Sequence, residues 1–412
     1  MIHPMIRKSL LLTLAVLLSA TKLFPHTAQS SDWPQFRGSL RNGSAGTSEQ
    51  SLSWPEGGPA LVWKKEIGSG FSEIILADGK LFTMFAEKTD SLSGWEYLAS
   101  YDPDTGDELW RTKVDSVFID VDNWGDGPRS TPAVGQNLIF CFSGFGKLVA
   151  LSKDDGTIRW TVDFVEQFGS TLPRWGYSTS PLLVGGLVMM EVGGKDEKAF
   201  AAFHQENGQL AWARATGEAM YTSPIAATID GQVQIIHPNA RNLYSFNEQG
   251  DTLWIHTMPI GNPMASPVFI PPNRVFVSAN NGAGSLLLEV SGGKTEEIFQ
   301  SSAMKNDWSS SVYFDGHIYG FNLASLQCIS VEDGQRKWGK RGLGKGSLIL
   351  VGDKLIVLSD TGDLAMIEAS PEGFVELGSI QAIEGRSWTA PSYANGRVYV
   401  RNHTEMACYE LQ

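Results

Sequence analysis

This sequence has few cysteines, a deficit of basic charge and none of the common catalytic signatures. Three cysteines occur among 412 residues, Cys141, Cys328 and Cys408, which excludes an extensive disulfide framework. Each lies in an apolar, strand-like run, so we expect three buried thiols, with one disulfide or one functional thiol as alternatives. The formal net charge of −13 repels phosphate backbones and anionic lipid. We therefore expect no nucleic-acid partner.

Motifs for catalysis and for metal binding are missing as well. The sequence contains no G-x-S-x-G, H-E-x-x-H, C-x-x-C or P-loop motif, and its seven histidines are scattered. The segment 120–127 begins like a calcium loop, but Trp124 occupies its fifth position and Thr131 the twelfth, where a bidentate Glu is required. This favours a solvated acidic loop over bound calcium. We predict no catalytic residue and no metal site.

An N-terminal export signal is present. Arg7 and Lys8 precede an apolar run over residues 9–20, which is too short to span a bilayer comfortably. We predict a signal peptide over residues 1–30, cleaved after Ala20 or Ser30, and a single domain over residues 31–412. No cysteine precedes Cys141, so there is no lipobox. We expect a periplasmic or secreted monomer without a transmembrane span.

An internal repeat organises the rest of the chain. A Gly four residues before a Trp recurs five times, in the segments 101–110, 151–160, 203–212, 246–254 and 329–338. Weaker copies lie at 290–299 and 368–377. Together with Trp63 they mark eight units at intervals of 39 to 52 residues.

Each unit contains four short strand patterns separated by turns, without a long helical period. Such units stack face to face and close into a ring, which predicts an all-β, eight-bladed β-propeller with four-stranded antiparallel blades. The last unit, residues 386–411, stops after its third strand, whereas residues 60–67 supply a lone strand before the first unit. We expect this N-terminal strand to complete the last blade.

The acidic turns followed by Gly-x-x-x-Trp resemble the quinoprotein-type, WD40-like propeller repeat. This tryptophan-docking motif is shared by PQQ-dependent dehydrogenases and by the non-enzymatic BamB-like assembly propellers. The opening DWPQFRG, residues 32–38, is similar to that of PQQ-like propeller proteins of planctomycete-type bacteria. The resemblance covers residues 32–412 and implies a bacterial propeller.

The resemblance also implies two kinds of activity. Quinoprotein dehydrogenases hold PQQ with a vicinal Cys-Cys disulfide, a calcium ligand set and a catalytic Asp, but no two cysteines are adjacent here. We therefore expect a non-enzymatic propeller that binds or scaffolds an envelope protein or polymer. A PQQ-dependent oxidoreductase and a carbohydrate-binding propeller are the alternatives, and the cofactor stays open.

Insertions on one face of the ring indicate where a site lies. The connections from Trp110 to Pro132 and from Trp160 to Pro181 are longer than the two that follow, and we place a loop over 86–96 on the same face. Residues just before each first strand face the central funnel. The candidate binding residues are Trp95, Trp124, Arg129, Trp175, Tyr177, Tyr221, Asp307, Trp308, Lys345, Arg386 and Trp388.

These Arg, Asp and aromatic side chains suit an anionic or sugar-like ligand or a protein contact surface. Two structural interpretations stand beside the functional one. The loop aromatics could fold back over the ring as plugs, and the charges could pair with one another around a water-filled channel.

Overall fold

The computed structural model describes Met1, residues 32–45 and residues 52–411. Apart from Met1, the predicted signal peptide and both candidate cleavage sites lie outside the described residues. Within the described chain the single α-helix is the short segment Phe164–Phe168. No helix in this part of the chain is long and apolar enough to cross a membrane.

Thirty-two strands form eight four-stranded antiparallel blades, numbered here 1 to 8 in chain order from residue 75. Blade 1 contains Ile75–Ala77, Lys80–Lys88, Gly94–Tyr101 and Glu108–Ser116. Blade 2 contains Ala133–Val134, Leu138–Phe142, Lys147–Ser152 and Ile158–Asp163. Blade 3 contains Leu182–Val184, Leu187–Gly194, Lys198–His204 and Leu210–Arg214. Blade 4 contains Ile225–Ile229, Gln232–Pro238, Asn242–Phe246 and Thr252–Thr257.

The second half of the ring repeats this arrangement. Blade 5 contains Val268–Ile270, Arg274–Ser278, Ser285–Ser291 and Lys294–Ser301. Blade 6 contains Val312–Phe314, His317–Asn322, Ser325–Ser330 and Arg336–Arg341. Blade 7 contains Ser347–Val351, Lys354–Leu358, Asp363–Glu368 and Glu376–Gln381. Blade 8 contains Ser392–Ala394, Arg397–Arg401, Glu405–Glu410 and the N-terminal strand Ala60–Glu66.

The N-terminal strand closes the ring as the repeat count predicts. Ala60–Glu66 pairs antiparallel with Glu405–Glu410, and Trp63 lies opposite Cys408 in this register. The eight-bladed, all-β propeller is therefore confirmed. All three cysteines are free and buried, in blades 2, 6 and 8, which confirms the expected buried thiols.

Adjacent blades are joined by the repeated indoles. The side chains of Trp110, Trp160 and Trp212 each pack against the turn glycine of the following blade, so closely that an added Cβ would lie 2.5 to 2.7 Å from the ring. Trp160 and Trp212 also donate Nε1–H to a carbonyl oxygen of that turn, at 2.9 Å. Blade 5 has the degraded repeat, and there Trp254 of blade 4 donates to Gln234 of its own blade instead.

One element was not anticipated from the sequence. The central segment, defined as residues 32–45, makes contacts with the innermost strands, or the residues leading into them, of six blades. Trp33 bridges Leu76 in blade 1, and Ser44–Ala45 pairs in parallel with Ser347–Val351 in blade 7. A stretch of fourteen residues can reach such distant blades only by crossing the middle of the ring. It therefore occupies the central channel.

Two buried arginines anchor the central segment. Arg41 donates to the carbonyl oxygens of Ser180 and Pro181 at the start of blade 3 and to that of Pro224 at the start of blade 4. Arg37 donates to the carbonyl oxygens of Ser310 and Ser311 ahead of blade 6. Burial lowers the pKa of Arg37 to about 10 and that of Arg41 to about 9.

The expected loop over 86–96 is wrong. Two strands of blade 1 extend into it, with Lys88 opposite Gly94, so only residues 89–93 form the turn. The Asp90 carboxylate accepts hydrogen bonds from the backbone N–H groups of Leu92 and Ser93, which fixes this tight hairpin. Trp95 is therefore a strand residue.

Candidate functional site

A cavity of about 330 Å³ lies where the first strands of the eight blades begin. We call it the bowl. The central segment supplies Phe36 and Arg37 to its lining, the loop after the second strand of blade 5 supplies Asn280, and the segments at the start of the eight blades supply the rest. The other lining residues are Phe71, Glu73, Trp124, Arg129, Trp175, Ser178, Tyr221, Ser223, Met264, Asn280, Asp307, Trp308, Ser309, Ser310, Lys345, Ser347, Trp388, Thr389 and Ala390.

The structure brings eight of the eleven sequence candidates together in this bowl. They are Trp124, Arg129, Trp175, Tyr221, Asp307, Trp308, Lys345 and Trp388. Residues from blades 1 to 8 meet there because the innermost strands of a propeller converge on its axis. Their role in binding stays a prediction.

The other three candidates lie outside the bowl. Tyr177 is fully buried and packs on Phe142 at 5.2 Å between ring centroids, while its neighbour Ser178 lines the bowl. Trp95 is 39% exposed on blade 1, with Lys113 Nζ 3.6 Å from its ring centroid. Arg386 is exposed and is not part of the lining, with its guanidinium 4.6 Å from the ring centroid of Trp388.

The loop that carries Trp124 is built around a buried carboxylate. Asp120 accepts hydrogen bonds from the backbone N–H of Asp122 at 3.1 Å and of Trp124 at 2.7 Å. Its other oxygen pairs with Arg129 at 3.1 Å. The expectation of a solvated acidic loop is therefore wrong at Asp120, whose side chain is buried because it satisfies the N–H groups of its own turn.

Two loops are braced into one rim, which we define as residues 117–131 and 169–179. Asp122 of the first loop accepts from Arg174 Nη2 at 2.7 Å and from Trp175 Nε1 at 2.7 Å in the second. These bonds, chiefly the one from Arg174, lower the pKa of Asp122 to about 2. Arg386, just ahead of blade 8, donates to the carbonyl oxygen of Trp124 at 2.8 Å. The first rim loop is therefore also held to blade 8, the blade that closes the ring.

Two groups of aromatic rings line the bowl, and we call them together the aromatic arc. The ring centroids of Trp308 and Trp388 lie 4.5 Å apart, and those of Trp124 and Trp388 lie 5.7 Å apart. Trp175 and Tyr221 form a second pair at 5.2 Å. Tilted contacts at these distances are favourable for aromatic side chains and fix the shape of the wall.

The cations of the bowl are engaged within the protein. Arg129 donates to Asp120 and to the carbonyl oxygens of Gly125 and Gly127. Lys345 Nζ pairs with Asp307 Oδ2 at 2.7 Å. The internal charge pairing that the sequence left open is thus present at these two positions.

Glu73 is a lining residue that sequence reasoning missed. It is 2% exposed, and its Oε2 accepts from the backbone N–H of Arg37 at 2.9 Å and from Trp33 Nε1 at 3.3 Å. Burial raises the pKa of Glu73 to about 7. Its Oε1 is buried and has no hydrogen-bond partner among the described residues.

A sequence signal for Glu73 exists in the repeat. In blades 2 to 4 the corresponding position is the Ser or Thr before the Pro of the first strand, and these hydroxyls link neighbouring blades. Thr131 N donates to Ser180 Oγ at 3.0 Å and Ser180 N to Ser223 Oγ at 2.9 Å. Glu73 N donates to Thr131 Oγ1 in the same way. Glu73 is thus an acidic residue at a position that blades 2 to 4 give to Ser or Thr, and this departure from the repeat is the sequence signal for it.

The residues do not fit the quinone site that the resemblance implies. Cys141, Cys328 and Cys408 lie in three different blades, so they cannot form a vicinal disulfide. Among residues 32–45 and 52–411, no group of three or more His, Cys, Asp or Glu side chains is placed to hold a metal ion.

Docked tryptophans, four-stranded blades and a central bowl define a quinoprotein-type propeller. This chain belongs to the family whose model is described as outer membrane protein assembly factor BamB, which matches residues 94–340.

Solved structures share the fold at low sequence identity. BamB from Moraxella catarrhalis has a TM-score of 0.60 at 14% identity, covering 85% of this chain and 97% of that one. Quinohemoprotein alcohol dehydrogenase from Comamonas testosteroni has a TM-score of 0.65 at 12% identity, covering 93% of this chain and 81% of that one.

A curated relative is similar over a shorter stretch. Quinoprotein alcohol dehydrogenase PedH from Pseudomonas putida is 32% identical over 122 residues, which is 28% of this chain. The match spans only 19% of the length of that relative.

Proposed function

We propose that this protein is an exported, non-enzymatic propeller of the bacterial envelope that binds an envelope protein or polymer through its rim and bowl. Membership in a family described by outer membrane protein assembly supports an envelope role. The apolar N-terminal run that follows Arg7 and Lys8 supports export to the periplasm or out of the cell. In this proposal residues 31–412 form one domain, and the protein is a monomer.

The observation that carries the proposal is the braced rim beside a concave aromatic cavity. Val121 is 70% exposed and Trp124 is 46% exposed, although both lie in a loop that is fixed by internal hydrogen bonds. Apolar side chains held rigidly in water lose little conformational entropy on binding, which is the property of a preorganised contact surface.

Site-specific crosslinking tests this proposal. A photo-crosslinking amino acid at Val121 should capture a partner in the native envelope, whereas the same group at Leu109, which is 50% exposed on the outer strand of blade 1, should not. Added protein with the native rim should compete the adduct away, and added protein carrying Val121→Asp should not. Equal adducts from both positions, or none from Val121, would contradict a rim-based function.

A further inference from the structure

Three buried polar atoms on bowl-lining residues have no hydrogen-bond partner among the described residues. They are Glu73 Oε1, Trp308 Nε1 and Ser309 Oγ. Glu73 is 2% exposed and Ser309 is 8% exposed, so neither side chain is a solvated surface group. Polar atoms buried in this way are normally paired. Sixteen side-chain atoms of the described residues are buried without a partner, and these three are the ones whose residues line the bowl, where a bound ligand can pair them.

A ligand group that pairs all three atoms must both donate and accept hydrogen bonds. The indole N–H of Trp308 only donates, the carboxyl oxygen of Glu73 accepts when ionised, and the hydroxyl of Ser309 does either. A hydroxyl group satisfies all of these requirements, and it also matches Glu73 in its protonated form. Several hydroxyls on one small framework would therefore complement the set.

The charges around the bowl argue against an ionic ligand. Arg129 is held by Asp120, Lys345 by Asp307 and Arg37 by backbone carbonyl oxygens, so an anion would have to displace an existing bond to gain a cation. A cation would meet three positive lining residues, which outnumber the two carboxylates of the lining, Glu73 and Asp307, and Asp307 is already paired with Lys345. A neutral ligand avoids both costs.

The aromatic arc supplies the remaining feature. Trp124, Trp175, Trp308 and Trp388 line the bowl and are not fully buried, so they offer apolar ring surface beside the polar atoms. A cavity of about 330 Å³ falls within the range of small-ligand sites. A flat ring with an apolar face and a hydroxylated edge fits this combination.

We propose that the bowl binds a neutral, hydroxyl-rich sugar ring, such as the end of an uncharged glycan, with Glu73, Trp308 and Ser309 as its hydrogen-bonding partners. This inference rests on the proposed binding function and specifies its ligand. The polymer of the envelope would then be a neutral glycan, recognised at its terminal residue.

Titration of the purified full chain with defined sugars tests the proposal. The probes are maltose, cellobiose and N,N′-diacetylchitobiose, with glucuronic acid and glucosamine as charged counterparts, followed by calorimetry and tryptophan fluorescence. We expect at least one neutral disaccharide to bind and both charged sugars to bind more weakly. Ser309→Ala and Trp308→Phe should each weaken the binding about fivefold, as expected for one lost hydrogen bond.

Ser100→Ala is the matched control, because Ser100 Oγ is also buried and unpartnered but lies in blade 1 away from the bowl lining. It should leave sugar binding unchanged. Ser309→Ala should leave thermal unfolding unchanged, so that weaker binding is separated from misfolding.

Three results would overturn the inference: no binding of any neutral sugar, equal or tighter binding of a charged sugar, or binding that Ser309→Ala does not alter. If crosslinking from Val121 persists in any of these cases, the ligand class is wrong and the envelope-binding function stands. A protein adduct from Val121 that depends on Ser309, without sugar binding, would assign the bowl to a peptide instead.

Discussion

Trp63 in the last blade packs directly on Gly106 in the first. A Cβ added to Gly106 would lie 2.7 Å from Trp63 Cδ2, and Trp63 Nε1 donates to the carbonyl oxygen of Pro103 in the same turn at 2.9 Å. Trp110 makes the same contact with Gly156 one blade further on. The ring is therefore closed by the same kind of contact, between a Trp and a turn glycine, that joins blades 1 and 2.

Replacing Gly106 should weaken this closure. Gly106 has φ +68°, so Gly106→Ala adds backbone strain to the steric clash with Trp63, and we expect a loss of about 2–4 kcal/mol in the free energy of unfolding. Urea denaturation measures it. Gly373→Ala, in the turn of blade 7 where nothing lies within 4 Å of an added Cβ, should change stability by less than about 0.5 kcal/mol. Equal effects would refute the docking contact.

Arg41 should be a major anchor of the central segment. Arg41→Met leaves three carbonyl oxygens, of Ser180, Pro181 and Pro224, without their donor, so we expect a loss of about 3 kcal/mol in the free energy of unfolding. Hydrogen exchange should increase across residues 32–45. Arg336→Met, on the exposed outer strand of blade 6, should do neither. If Arg41→Met were as stable as Arg336→Met, Arg41 would not anchor the central segment.

Glu73 should make stability depend on pH. Its pKa is about 7 in the folded protein and near 4.5 without burial, so between these values the folded state keeps a proton that the unfolded chain has released. The free energy of unfolding then falls as pH rises from about 4.5 to 7, by about 3 kcal/mol in total from this group. Glu73→Gln should remove that part of the slope. Urea denaturation at a series of pH values measures this. If the free energy of unfolding changes with pH in the same way in Glu73→Gln and in the wild type, the prediction is wrong.

Asp122 should hold the two rim loops together without supporting the fold. We expect Asp122→Ala to release Arg174 and Trp175 and to increase proteolytic cleavage within residues 117–131 and 169–179. Thermal unfolding should barely change, because the carboxylate bridges two surface loops. Asp104→Ala, which removes an exposed pair with Arg397, should not promote cleavage in the rim. An unchanged cleavage pattern in Asp122→Ala would show that the rim is rigid for another reason.

The quinoprotein alternative makes a separate prediction. The stretch similar to PedH raises it, but the cysteines lie in different blades. We expect titration with PQQ and Ca²⁺ to give no bound quinone absorbance and no alcohol-dependent dye reduction. Saturable absorbance with turnover would establish an oxidoreductase.

The site was predictable where it follows the repeat. The candidates Trp308, Lys345 and Trp388 precede first strands, and a propeller brings such positions together at its axis, so their sequence spacing was sufficient. Tyr177 also precedes a first strand, but its ring packs in the core against Phe142 and Phe164 and does not face the funnel. Its neighbour Ser178 takes the lining position.

The sequence by itself determined the number of blades, the docking tryptophans and the closing strand, because each depends on contacts that recur at a fixed spacing. Only the tertiary structure decided that residues 32–45 fill the channel, that Asp120 and Asp122 organise the rim, and that Glu73 and Ser309 meet in one bowl. Those contacts occur once and, apart from the turn that Asp120 closes, join residues far apart in the chain, so no periodic pattern records them.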